Sequence, residues 1–253
     1  MASIIDAFND AFSEEYSLVK ILVYSLPVFA SAYFYVNGNN SAAFILGIPA
    51  LLIAFGLLAC GINNILSNKK EILTANPFFL IVTIIKSVIA LSPMVLILGV
   101  IGYFIVTRVS IPPVYAHAQE IFQGCMWVLL GSIVFTSFLS FARKLKIIDA
   151  YNLKIISESS IDILVCLLFL IPQISIADTL LVGFVWYIFF FFKIPATNLI
   201  FVFYCSMIAV LNISVVADYL AQVSYEYIKG KDDEYDEFYK IKGANNLFNP
   251  KKK

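Results

Sequence analysis

Six long apolar runs decide what this chain can fold into. They cover residues 18–36, 42–62, 78–106, 121–142, 161–192 and 196–217, and together they take up most of the 253 residues. A helix needs about 20 mostly apolar residues to cross a bilayer, and each run reaches or approaches that length. The chain is 61% hydrophobic and only 13% charged, against about 45–50% and about 25% for an ordinary soluble domain. A water-soluble fold of this size could not bury so many contiguous apolar stretches, because its own surface must be polar. Lipid as solvent removes the conflict. Only helices and closed barrels satisfy every backbone group in hydrocarbon, and runs this long fit helices. The expectation is an all-α, polytopic transmembrane helix bundle.

Three connecting stretches have helical amphipathic spacing and are expected to lie in the headgroup plane. Ile4, Ile5, Phe8 and Phe12 recur with acids on the other face; Ile65, Leu66, Ile72 and Leu73 surround Lys69-Lys70-Glu71. Leu145, Ile148, Tyr151 and Ile155 line a segment carrying Arg143, Lys144, Lys146 and Lys154. Residues 1–17 thus read as an amphipathic interfacial segment, 18–228 as the membrane domain and 229–253 as a polar, disordered cytoplasmic tail too poor in apolar residues to fold alone. The first fifteen residues hold Asp6, Asp10, Glu14 and Glu15 and no Lys or Arg, unlike the basic start of a signal peptide. The first span is expected to act as its own insertion signal.

The 161–192 run sets the topology. Counted as one net crossing, it gives six spans and places both termini on one side. Of the 17 Lys and Arg, only Arg108 and Lys193 then fall outside, leaving 15 inside. Counted as two crossings, it gives seven spans and moves Lys193 inward but the seven tail lysines outward, for 9 inside and 8 outside of the same 17. Basic residues concentrate on the cytoplasmic side, so six spans in a cell membrane, with cytoplasmic termini, is the preferred reading. It takes 161–192 as one span plus a re-entrant or interfacial piece broken near Pro172.

Ionisable and amide groups inside such runs are expensive and by default functional. Five stand out: Lys86, Asp162, Asp178, Asn212 and Asp218. Lys86 either snorkels to the inner headgroups or pairs with Asp162 or Asp218. Asp162 follows Ser157-Glu158-Ser159-Ser160 and is placed to cap a helix N-terminus, Asp178 lies at the expected break, and Asn198, Asn212, Ser214 and Asp218 share the last run. Pro27, Pro49, Pro93, Pro172 and Pro195 each favour a kink or break.

Enzymatic patterns are missing: there is no H-E-x-x-H, no G-x-S-x-G and no phosphate-binding glycine loop. Ser17-Leu18-Val19-Lys20 matches S-x-x-K without its companion motifs, and Asn39-Asn40-Ser41 fits a glycosylation sequon too close to the bilayer for easy use. The single histidine, His117, falls in a short outer loop. Cys60, Cys125, Cys166 and Cys205 lie in separate runs without metal-ligand spacing, as free cysteines that pack like small apolar residues. The expectation is no catalytic residue, no cofactor and no metal.

Four features give the chain a family likeness: an acidic amphipathic start (Ala7 to Glu15), Gly61 near the end of the second span, a basic stretch from Arg143 to Ile156, and the closing Gln222-Val223-Ser224-Tyr225. In these it resembles the prokaryotic membrane family catalogued as domain of unknown function four thousand and thirteen, over most of residues 1–228. It departs from that pattern at Ala221, where the family has Gly, and in the length of 161–192. The resemblance implies architecture and carries no functional residue. Two function classes are open: a non-enzymatic structural, assembly or envelope-associated membrane protein, and a solute permease or transporter component with the intramembrane carboxylates and Lys86 as its lining. The expected partners are the lipid bilayer and other membrane subunits or further copies of the chain; the balanced charge gives no reason to expect nucleic acid.

Overall fold

A computed structural model describes residues 3–69, 71–109, 117–195 and 197–228; the tail from Lys229 onward lies outside the described residues. Seven α-helices follow one another: α1 (Ile4–Ser13), α2 (Ser17–Val36), α3 (Asn40–Leu66), α4 (Pro77–Arg108), α5 (Ala118–Lys144), α6 (Leu153–Phe191) and α7 (Leu199–Tyr227), with a short 3-10 turn at Ile147–Tyr151 before α6. Six of them, α2 to α7, are long and apolar enough to cross a membrane. Among the described residues there is no strand. The fold is an all-α polytopic bundle with six candidate spans.

Local chemistry sets the helix limits. Asn39, Asn76, Asn152 and Asn198 are N-caps, accepting backbone N–H bonds from Ala42, Phe79, Ile155 and Ile200, the role for which Asn is suited. Pro77 follows as the first residue of α4, where its missing N–H costs nothing. Between α2 and α3, Gly38 takes a left-handed φ of +78°, which keeps that turn short.

Helices α3, α5 and α7 form the middle of the bundle. α2 packs on α3 and α7, α4 on α3 and α5, and α6 on α5 and α7, while α1 docks on α7. One end gathers α1, the 67–76 connection, the 145–152 connection and the last turn of α7. Lys20, Lys69, Arg143, Lys144, Lys146 and Lys154 lie there, and it is called the basic end below. The far end holds the turns near Gly38, Val109 and Lys193. Close packing is concentrated toward the basic end: the buried positions of α2 stop at Ser25, those of α5 begin at Leu130, and those of α6 stop at Leu170.

Three expectations are corrected. Residues 161–192 contain no break and no re-entrant piece: α6 runs unbroken through Pro172 for 39 residues. Loss of one donor does not end the helix, since local adjustment and neighbouring groups compensate inside membranes. The described residues of the 65–73 stretch form no separate interfacial helix. Ile65 and Leu66 end α3, and Ile72 and Leu73 are buried in the connection. The basic 145–155 stretch is no amphipathic helix either. Hydroxyls of Ser137 and Ser140 donate to the carbonyls of Ala150 and Asp149 (2.6 and 2.7 Å), which ties it as a 3-10 turn against α5. The amphipathic start does form a helix, with Ala7 and Ala11 fully buried in the core and Ile5 and Phe12 exposed.

Candidate functional site

Two polar clusters stand out against the apolar bundle. The first closes the basic end. Glu14, between α1 and α2, is buried; its carboxylate accepts from the Lys20 ammonium at 2.6 Å and from the Leu73 N–H at 3.2 Å. Burial pushes the Glu14 carboxyl up, and these donors pull it partly back. Beside it the Tyr24 hydroxyl donates to the Thr74 carbonyl (2.6 Å), and the Asn63 amide to the Arg143 carbonyl (2.8 Å). On the other side of α1, the Ser3 N–H donates to Gln222 Oε1 (2.9 Å), whose Nε2 donates to Asp218 Oδ2 (2.8 Å). These bonds tie Glu14 and α2 to the connection after α3, α3 to α5, and α1 to α7; together they are called the latch below.

Asp218 is therefore 2% exposed and bonded within its own helix and, through Gln222, to α1. α1 presents Asp6 and Asp10 on the same side, and Asp10 is itself raised, first by burial and then by Asp6. Like charges collected there make no complement for a carboxylate. They bring no lysine to Asp218.

The second cluster lies about 20 Å from the far ends of α6 and α7, at 1.5 Å per residue. Asn212 Nδ2 on α7 donates to Asp178 Oδ1 on α6 at 2.8 Å. Both side chains are half-buried and line a groove of about 400 Å³ with Thr179, Gly183, Cys205 and Ala209. Asn212 Oδ1 is buried with no hydrogen-bond partner. The amide spends a donor on one carboxylate oxygen, and the groove offers the second oxygen of Asp178 as an acceptor.

The remaining candidates do not join either cluster. Lys86 is half-buried on α4, and among the described residues no ion pair or hydrogen bond connects it to Asp162 or Asp218. Asp162 is exposed and lies inside α6 rather than at its start; Asn152 caps that helix, so the expected N-terminal role of Asp162 is corrected. Asp178 sits at no break. Asn198 is a cap and not an intramembrane group. All four cysteines are free, but only Cys60 is buried, and Cys125 is exposed. His117 is exposed and contacts Glu120 at 2.9 Å. Among the described residues no group of His, Cys, Asp and Glu could hold a metal ion.

Of the latch, the sequence showed Asp218 as a polar residue of the last span and Gln222 within the closing motif, and not the bonds that join them to α1. Glu14 and Lys20 are six residues apart, but the partners that tie them and their neighbours across the fold are distant: Leu73 is 59 residues from Glu14, Arg143 is 80 from Asn63, and Ser3 is 219 from Gln222. No known protein family matches the chain, and comparison with curated proteins and with solved structures finds no match.

Proposed function

We propose that this protein is a non-enzymatic membrane component with a structural or assembly role, its termini and basic end facing the cytoplasm. One observation carries the reading: the five intramembrane polar residues do not converge. Asp218 is held in the latch, Asp178 and Asn212 bond each other, and Lys86 and Asp162 lie apart from both and from one another. A transport path built from these groups would need them on a common cavity. Placement of the basic end in the cytoplasm rests on the distribution of Lys and Arg, and the likeness to the uncharacterised prokaryotic family is consistent with the same architecture.

The test is charge movement in proteoliposomes on solid-supported membranes after jumps of pH, Na⁺, K⁺ and Cl⁻. A structural component gives traces that match empty liposomes. Transient currents that vanish in Asp178→Asn or Lys86→Met would replace this reading with the permease. For orientation, a cysteine placed after Lys253 in a cysteine-free chain should resist impermeant maleimide in intact cells, and efficient labelling reverses the assignment.

A further inference from the structure

We infer that the α6–α7 groove receives α4 of a second copy of this chain, with Lys86 of that copy bonded to Asp178. The inference deepens the assembly reading proposed above.

Chemistry in the groove comes first. Asp178 and Asn212 share a single bond, which leaves the second Asp178 carboxylate oxygen as an acceptor and, behind it, the buried Asn212 Oδ1 without a partner. The missing element is a group with several donors and no acceptor. A lysine ammonium has three donors and none of the opposite kind, and it also neutralises the carboxylate. Thr179, Gly183, Cys205 and Ala209 line the groove with Val182 and Ile208, and at Gly183 a methyl group would meet nothing nearer than Thr179 Cγ2 at 4.0 Å. Small-residue grooves of this kind admit a neighbouring helix in membranes.

The chain itself carries the complement. Lys86 is the sole Lys or Arg among the described residues that lies deep inside a span, and it has no ion pair there. Its depth matches. Gly61 of α3 packs on Ala217 of α7, and Gly56, five residues earlier, packs on Leu80 and Ile84 of α4. α3 and α7 run in the same direction, so Gly56 is level with residue 212 on α7. α4 runs the opposite way, which puts the Lys86 backbone roughly 6 Å further toward the far end at 1.5 Å per residue. Its flexible stem spans that offset when it snorkels toward the basic end.

Within one copy the pair cannot form, since α5 stands between α4 and α6. Between copies inserted with the same orientation, equal depth is what the pairing requires. Lys86 is flanked by Ile85 and Ile89, 54% and 50% exposed, so α4 brings an apolar face with its ammonium. Each copy then gives one lysine and receives another, an arrangement met by a two-fold dimer or a closed ring. Intramembrane ionisable groups pair with one another; here both partners are left over by the monomer.

Native mass spectrometry from lipid nanodiscs and mild detergent tests the idea on the full chain. Wild type is expected as an oligomer. Lys86→Glu and Asp178→Lys should each lower the oligomeric fraction about tenfold, the shift that about 1.4 kcal/mol produces, and the double charge swap should restore it. Should either charged variant fail to fold, two uncharged chains in a cysteine-free background keep the test open: Lys86→Cys mixed with Asp178→Cys should be joined by a bis-methanethiosulfonate cross-linker about as long as a lysine side chain, and neither alone should give a dimer of that yield. A monomer at all concentrations, or a double swap no better than the singles, overturns the proposal. So does a monomer stabilised by Na⁺ through Asp178, which would make the groove a cation site. These readouts are of oligomeric state and do not depend on the charge-movement result.

Discussion

Substituting Gly61 by alanine probes a close approach of two helices, α3 and α7, that no long side chain cushions. A Cβ built at Gly61 falls 2.7 Å from Ala217 Cβ and 3.2 Å from the Ile72 carbonyl oxygen. Carbon atoms in good contact stand about 3.5–4.0 Å apart, so α3 and α7 must separate by roughly 1 Å, and no flexible side chain is present to give way. One neighbour is a methyl on a helix and the other is backbone. The cost of such overpacking is about 1–3 kcal/mol, a large share of a total stability of about 5–15 kcal/mol. Gly131 supplies the control. It lies inside α5 with nothing within 4 Å of its Cβ position, so Gly131→Ala should gain up to about 1 kcal/mol from helix propensity alone. The assay is equilibrium unfolding in mixed micelles titrated with SDS. Gly61→Ala should lower the midpoint, Gly131→Ala should hold or raise it, and Gly61→Ala with Ala217→Gly should recover most of the loss. A Gly61→Ala protein as stable as Gly131→Ala refutes the reasoning, because it would mean that α3 and α7 do not meet closely at that level.

Other predictions concern the polar groups. In the Glu14–Lys20 pair the side chains are 1% and 10% exposed, so Lys20→Met should cost about 3–5 kcal/mol by stranding a buried charge, while Lys20→Met with Glu14→Gln should be far milder; thermal unfolding in detergent compares them. Glu14 is also raised from its ordinary value of 4.5, so the folded chain binds that proton more tightly than the unfolded one. Its contribution therefore improves as pH falls from neutrality through the raised value toward 4.5, where the gain is complete, and Glu14→Gln should flatten that slope in unfolding midpoints measured against pH. Asn63→Ala removes the bond to the Arg143 carbonyl and should cost about 1 kcal/mol in the same assay. Gln222→Ala should release α1, seen as faster hydrogen exchange at residues 4–11 with α3 unaffected.

The six spans were legible because hydrocarbon imposes a length and a polarity that no other environment does, and the runs showed both. Where reading failed, it failed for reasons of neighbours. Pro172 and Asp178 look like a break when weighed alone, yet Asn212, 34 residues away, bonds the carboxylate, and α6 passes the proline without interruption. The 145–155 stretch has the spacing of an amphipathic helix, but hydroxyls from α5 bind its carbonyls and win over that local preference. Asp162 follows a serine-rich segment that resembles a helix start, and the true start is ten residues earlier at Asn152 because α6 extends beyond its apolar part. Of the candidate site, Asp178 and Asn212 were visible as individual residues and their pairing was not. Nothing in a single chain reports which residues on two helices share a depth.

Membrane helices gain little from hiding apolar surface from one another, since lipid tails are equally apolar; packing and hydrogen bonds must hold them together. This bundle concentrates both at the basic end, through the Gly61–Ala217 approach and the latch around Glu14 and Gln222. Toward the far end it exposes Phe44, Leu96, Val100, Trp127 and Phe184, all of which lipid can satisfy. Lipid cannot satisfy Lys86 or the acceptors around Asp178. The apolar surface therefore tolerates many neighbours and selects none, whereas the two ionisable points accept only a complement at matching depth. That difference makes charge reversal a more discriminating test of assembly than any apolar substitution. Changing Leu96 to alanine alters packing area that lipid refills, and the oligomeric state should barely move. Reversing Lys86 leaves two carboxylates facing each other in a medium that screens neither.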